Sequence, residues 1–108
     1  MATKIYNKLV RDLISSIIEE SGKTCRTEIL SDEEYLKRID EKLDEELAEY
    51  HHDQSIEELA DLLELIRAAT IAHGYTLEEL EAVRAEKAKM RGGFKEKIFL
   101  IDVTEKSN

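Results

Sequence analysis

Two acidic stretches have a spacing that allows chemistry. Glu45-Glu46-Leu47-Ala48-Glu49 and Glu58-Leu59-Ala60-Asp61 each hold two carboxylates three residues apart, which places both on one face of a helix. At about 100° per residue, Glu46 falls about 55° from the centre of its apolar stripe, and Glu58 about 70° from its own. Both therefore flank a buried seam, with Glu49 and Asp61 one step further out. The connection near His52-Asp53-Gln54 is short, and a short link makes antiparallel neighbours. At a rise of about 1.5 Å per residue, the two acidic pairs then stand at the same height. Carboxylates gathered in this way repel unless a cation joins them, and an all-oxygen set suits Mg²⁺ or Mn²⁺. The alternative is solvated surface charge, with Glu58 occupied in a helix cap. Spacing alone leaves both readings open.

Cations form a second set. Arg84, Lys87 and Arg91 stand at i, i+3 and i+7, on one face of a fourth helical pattern. Asn7, Lys8 and Arg11 lie together near the start of the chain. Read locally, Asn7 caps a helix and the basic residues are solvated. Read functionally, the basic residues meet phosphate. His51, His52 and His73 lack the spacing of a zinc site.

Four helical patterns position these residues. The first runs from about Lys8 to Ser21, with Asn7 as N-cap and Gly22 as stop. The second starts at Ser31, whose Ser-Asp-Glu-Glu run is a capping box, and carries the stripe Leu36, Ile39, Leu43, Leu47 and Tyr50. The third starts at a second box, Ser55-Ile56-Glu57-Glu58. It carries Leu59, Leu62, Leu63, Ile66 and Ala69 and stops at Gly74. The fourth starts at a third box, at Thr76, and ends at Gly92-Gly93. Thr24 to Leu30 and Lys97 to Val103 are rich in β-branched and apolar residues and read as strands, paired as an antiparallel ribbon. The fold expected is mostly α, a four-helix bundle with an optional short β-ribbon, in one domain over 1–108.

Composition narrows the classes of function. There are 16 basic and 25 acidic residues, a net charge of −9, and so no basic face for general nucleic-acid binding. No apolar run is long enough for a membrane span. The single Cys25 and the absence of an N-terminal apolar segment suggest a cytoplasmic protein. A helix hairpin with a ribbon buries little surface in so short a chain, so a homodimer or homotetramer is expected.

The acidic stretches resemble the E-E-x-x-E…E-x-x-D signature of the MazG-like all-α nucleoside triphosphate pyrophosphohydrolases. The opening Tyr6-Asn7-Lys8-Leu9-Val10-Arg11-Asp12 and the late Lys87-Ala88-Lys89-Met90-Arg91-Gly92-Gly93-Phe94 resemble a small subgroup often labelled phosphoribosyl-ATP pyrophosphohydrolase-like. The likeness runs from about Ile5 to Val103. It implies Mg²⁺-dependent cleavage of a nucleotide between the α- and β-phosphates, giving a nucleoside monophosphate and pyrophosphate. It implies Glu46, Glu49, Glu58 and Asp61 as metal ligands, the four that the helical angles also select. Glu45 is left as the spare catalytic base. It further implies Asn7, Lys8, Arg11, Lys87 and Arg91 as substrate contacts, and Arg84 joins them through the helix face it shares with Lys87 and Arg91. Eight residues separate Glu49 from Glu58, fewer than is usual for the family, which leaves no long loop there. Hydrolysis of phosphoribosyl-ATP in histidine synthesis and a non-catalytic helical interaction module are the alternatives.

Overall fold

Serine hydroxyls start the two long helices. The computed structural model describes residues 2–106. It contains four helices and, among the described residues, no strand. The expected mostly-α fold is what the chain adopts. Helix α2, Asp32–Asp53, begins where Ser31 Oγ accepts the Glu34 N–H at 3.2 Å. Helix α3, Ile56–Ala72, begins in the same way, with Ser55 Oγ accepting the Glu58 N–H at 3.3 Å. Both serines satisfy an amide that the first turn would otherwise leave unpaired. The reciprocal half of the first box differs from expectation: the Glu34 carboxylate accepts from Arg38 Nε at 2.9 Å.

The link between α2 and α3 is only Gln54 and Ser55. Gln54 adopts a left-handed φ of 50° and donates its N–H to the Tyr50 carbonyl at 2.7 Å, closing α2. So tight a turn folds the helices back as antiparallel neighbours, and they are the two that pack together. On α2, Ile39 is fully buried. Gly74, at φ 91°, ends α3: its N–H reaches the Ile71 carbonyl while the Tyr75 N–H reaches Thr70. That conformation suits glycine, which carries no Cβ to clash.

Three expectations change. Helix α1 spans Ile14–Glu20, six residues shorter at its start than the pattern from Lys8 suggested. Asn7 does not cap it. Asn7 takes a left-handed φ of 47° in an irregular segment, and Leu13 occupies the cap position without a side-chain bond. Residues 8–13 are held by ion pairs to the hairpin, and an apolar Leu13 offers no capping oxygen. The β-ribbon is absent among the described residues. Ile29 is 98% exposed and Phe99 87% exposed, so neither segment has a sheet face to bury. A strand needs a hydrogen-bonded neighbour, and neither segment has one.

The chain divides into two units, one up to Leu77 and one from Glu78 onward. The first holds α1, α2 and α3. The second holds most of α4, Leu77–Arg91, closed by Gly92, whose N–H donates to the Ala88 carbonyl at 2.8 Å. No described helix is long and apolar enough to cross a membrane.

Candidate metal centre

The α2–α3 hairpin brings three carboxylates together. One oxygen from each of Glu46, Glu58 and Asp61 lies within 4.8 Å of the others. Glu46 comes from α2, about two turns before its end. Glu58 and Asp61 come from the first two turns of α3. The cap at Ser55 fixes the start of α3 and thereby the height of Glu58 against Glu46. Oxygens gathered this closely from three carboxylates are the kind of set that could hold a hard divalent cation.

The electrostatics of the cluster suit a cation. Glu46 is only 8% exposed, an unusual position for a carboxylate. Lys42, one turn earlier, stands 3.7 Å from its Oε1. Its Oε2 is buried and has no hydrogen-bond partner, and the same holds for Glu58 Oε2. Two buried carboxylate oxygens without a donor in one cluster carry a desolvation cost that a bound cation, or a proton held between Glu46 and Glu58, would offset. The Glu58 carboxyl is pushed above the ordinary glutamate range. Burial is the largest cause, followed by the Glu49 charge, a hydrogen-bonding approach of Glu46, and the Glu46 and Asp61 charges.

Other expected site residues fall into three groups. Glu49 is exposed and outside the three-carboxylate group, although its charge acts on Glu58. Glu45 is half-buried and paired with Lys8 Nζ at 3.2 Å. A carboxylate already held by a lysine is a poor choice for a free base. Arg11 Nη2 lies 2.6 Å from Asp61 Oδ1, so Lys8 and Arg11 both contact the acidic hairpin. Arg84, Lys87 and Arg91 are exposed on α4, in the second unit. Arg84 is paired with Glu81 through two bonds of 2.8 and 2.6 Å. That pair raises the arginine pKa and lowers that of Glu81. A cleft lined by Tyr35, Glu64, Arg67 and Ile71 shares no residue with the carboxylate cluster.

Sequence reasoning missed three contacts, among them Lys8 to Glu45, thirty-seven positions apart. Lys42 to Glu46 is an i, i+4 pair and was readable. Arg11 to Asp61 spans fifty positions, and no local pattern signals it.

Comparison with known proteins adds little. No family model matches the chain, and no solved structure does. An uncharacterized protein of Mycolicibacterium smegmatis is 52% identical over 42 residues, covering 39% of this chain and 43% of that protein. The chain thus spans less than half the length of this relative.

Proposed function

We propose that the protein is a divalent-cation-dependent hydrolase that splits a nucleoside triphosphate, or a related nucleotide, between the α- and β-phosphates. The products are a nucleoside monophosphate and pyrophosphate. The observation that carries this reading is the convergence of Glu46, Glu58 and Asp61 with two buried, unpartnered carboxylate oxygens. The likeness of the acidic stretches to the pyrophosphohydrolase signature points the same way.

The donor set is all oxygen, which fits Mg²⁺ or Mn²⁺. Glu46, Glu58 and Asp61 would hold the cation, with Glu49 at the rim. Such a cation, when bound, neutralises phosphate charge and lowers the pKa of a coordinated water. The carboxylates would hold that cation and so give the phosphates a fixed place to bind. Water adds to phosphorus, the bridging P–O bond breaks, and the proton released by water passes to a carboxylate at the rim. Glu49, exposed at the rim, is better placed for that proton than Glu45, which Lys8 holds. We read the protein as a homo-oligomer, on the basis of its exposed apolar faces. We read it as cytoplasmic, in line with the free thiol of Cys25.

The test is pyrophosphate release from a panel of nucleotides, with Mg²⁺, with Mn²⁺ and with EDTA. Release that requires the cation and varies with the base supports the reading. No release from any nucleotide with either cation removes it.

A further inference from the structure

The segment ahead of α1 has no regular structure, yet it is tied to both helices of the hairpin. Lys8 reaches Glu45 on α2, and Arg11 reaches Asp61 on α3. The segment therefore crosses the acidic face, with one cation on each helix. Asp61 is also one of the three converging carboxylates, so its oxygens have two potential users. Both pairs are solvent-accessible, with the Arg11 side chain 57% exposed and that of Asp61 37% exposed. Ion pairs in such positions are weak and easily exchanged.

We propose that residues 8–11 form a charge strap over the cluster, with Arg11 occupying Asp61 in the cation-free protein and leaving it when a divalent cation takes the same carboxylate. The inference rests on the reading of Glu46, Glu58 and Asp61 as a cation site. A guanidinium and a metal ion cannot both be the principal partner of one carboxylate without mutual repulsion. The strap supplies positive charge to a cluster that would otherwise repel itself. It also links the cation to the position of the N-terminal segment. Because linkage is reciprocal, whatever opens the strap raises affinity for the cation, and the cation opens the strap. Once released, Arg11 stands beside a bound cation, where an anionic ligand would approach.

The experiment follows the full chain by ¹⁵N NMR, reading the Arg11 Nε–H and the amides of residues 5–13, while Mg²⁺ is added to protein freed of metal. Asp61→Asn serves as the reference for an open strap. Mn²⁺ affinity is measured by calorimetry for the wild type, Arg11→Gln and Arg11→Lys. The strap predicts that Mg²⁺ moves the Arg11 and segment resonances toward their positions in Asp61→Asn. It also predicts that Arg11→Gln binds Mn²⁺ roughly two- to five-fold more tightly, the range of an exposed ion pair, while Arg11→Lys stays near wild type. If Mg²⁺ shifts the α2 and α3 amides but leaves Arg11 in place, the cation site stands and the strap is overturned. Weaker Mn²⁺ binding by Arg11→Gln overturns it as well, since Arg11 would then be supporting the site. If no resonance moves and no variant binds Mn²⁺, the cation site itself fails, and the strap with it.

Discussion

Asp61 separates catalysis from folding more cleanly than its neighbours. It has no part in a helix cap, it is only half-buried, and its known partner is the exposed Arg11. Asp61→Asn keeps the shape and removes one negative charge from a crowded cluster. The variant is expected to fold and, without metal, to melt close to the wild type: relief of repulsion at Glu58 opposes loss of the Arg11 pair. Its hydrolytic rate is expected to fall on the order of 10²–10³, as when one preorganised electrostatic group is removed from an active site. Glu57→Gln, on the neighbouring exposed face, is the control and should change neither property. Pyrophosphate release and melting temperature measured side by side decide the matter. Wild-type turnover in Asp61→Asn would reduce the cluster to surface charge.

Glu58 makes a different prediction, about pH. Its raised pKa means that the folded state binds its proton more tightly than the unfolded state does. The stability this confers is complete below the ordinary value of 4.5 and is lost as pH rises through the raised value. His52, raised mainly by its hydrogen bond to Asp53, acts in the same sense, complete below 6.5 and lost above. Glu81 is lowered by Arg84, so its contribution is kept above 4.5 and fades only at lower pH. In EDTA, the melting temperature should therefore rise as pH is lowered from neutrality toward about 5. Glu58→Gln should flatten that rise, with His52→Gln accounting for the remainder. Mg²⁺ should reduce the slope in the wild type, since cation and proton compete for the same oxygens. A slope unchanged in Glu58→Gln would show that the carboxyl is not perturbed.

At the scale of elements, local chemistry was legible and non-local chemistry was not. Ser31 and Ser55 act as caps because a hydroxyl followed three residues later by a free amide is a contact within one turn. Gly74 and Gly92 end helices for an equally local reason, their positive φ. The acidic residues facing the seam were readable from helical angle, and Glu46, Glu58 and Asp61 do converge. Glu49, placed with them by spacing, sits further out. The start of α1 was misread because its segment is shaped by Glu45 and Asp61, far along the chain. The strand readings at 24–30 and 97–103 failed because β-propensity specifies a strand only where a partner exists. The cap of α3 should matter to the site as well as to the helix. Ser55→Ala is expected to cost about 1 kcal/mol of stability. It should also weaken Mn²⁺ binding, because Glu58 is in the first turn that Ser55 fixes. Ser31→Ala caps the other long helix, with the site some four turns away, and should lower stability alone. Thermal melts paired with Mn²⁺ calorimetry would distinguish the two serines.

For the molecule as a whole, the governing fact is how little of it is buried. Among the described residues, Ile39 is the only buried hydrophobic side chain. On α3, Leu59, Leu63 and Ile66 lie at i, i+4 and i+7, one helical stripe, and all three are exposed. Leu47 on α2 is exposed as well. Domains of this size are marginal even with a full core, and a two-helix hairpin with one fully buried side chain falls short of that. An apolar stripe of this kind is covered in a stable protein. A second copy of the same chain can cover it with a matching stripe, as two-fold symmetric pairing requires. The expected state in solution is therefore a homodimer or larger, of at least twice the 12.5 kDa chain mass. Light scattering at assay concentration checks this directly. Leu63→Glu places a charge in the middle of the stripe and should shift the population toward monomer. The same substitution should lower the melting temperature and make it depend on protein concentration, since folding and association are linked. A wild-type chain that scatters as a 12.5 kDa monomer, with a concentration-independent melt, would mean that the hairpin stands without its stripe being covered. Monomers for both proteins would exclude the α3 stripe as an interface, whereas an unchanged oligomer in Leu63→Glu would move the contact to another apolar face.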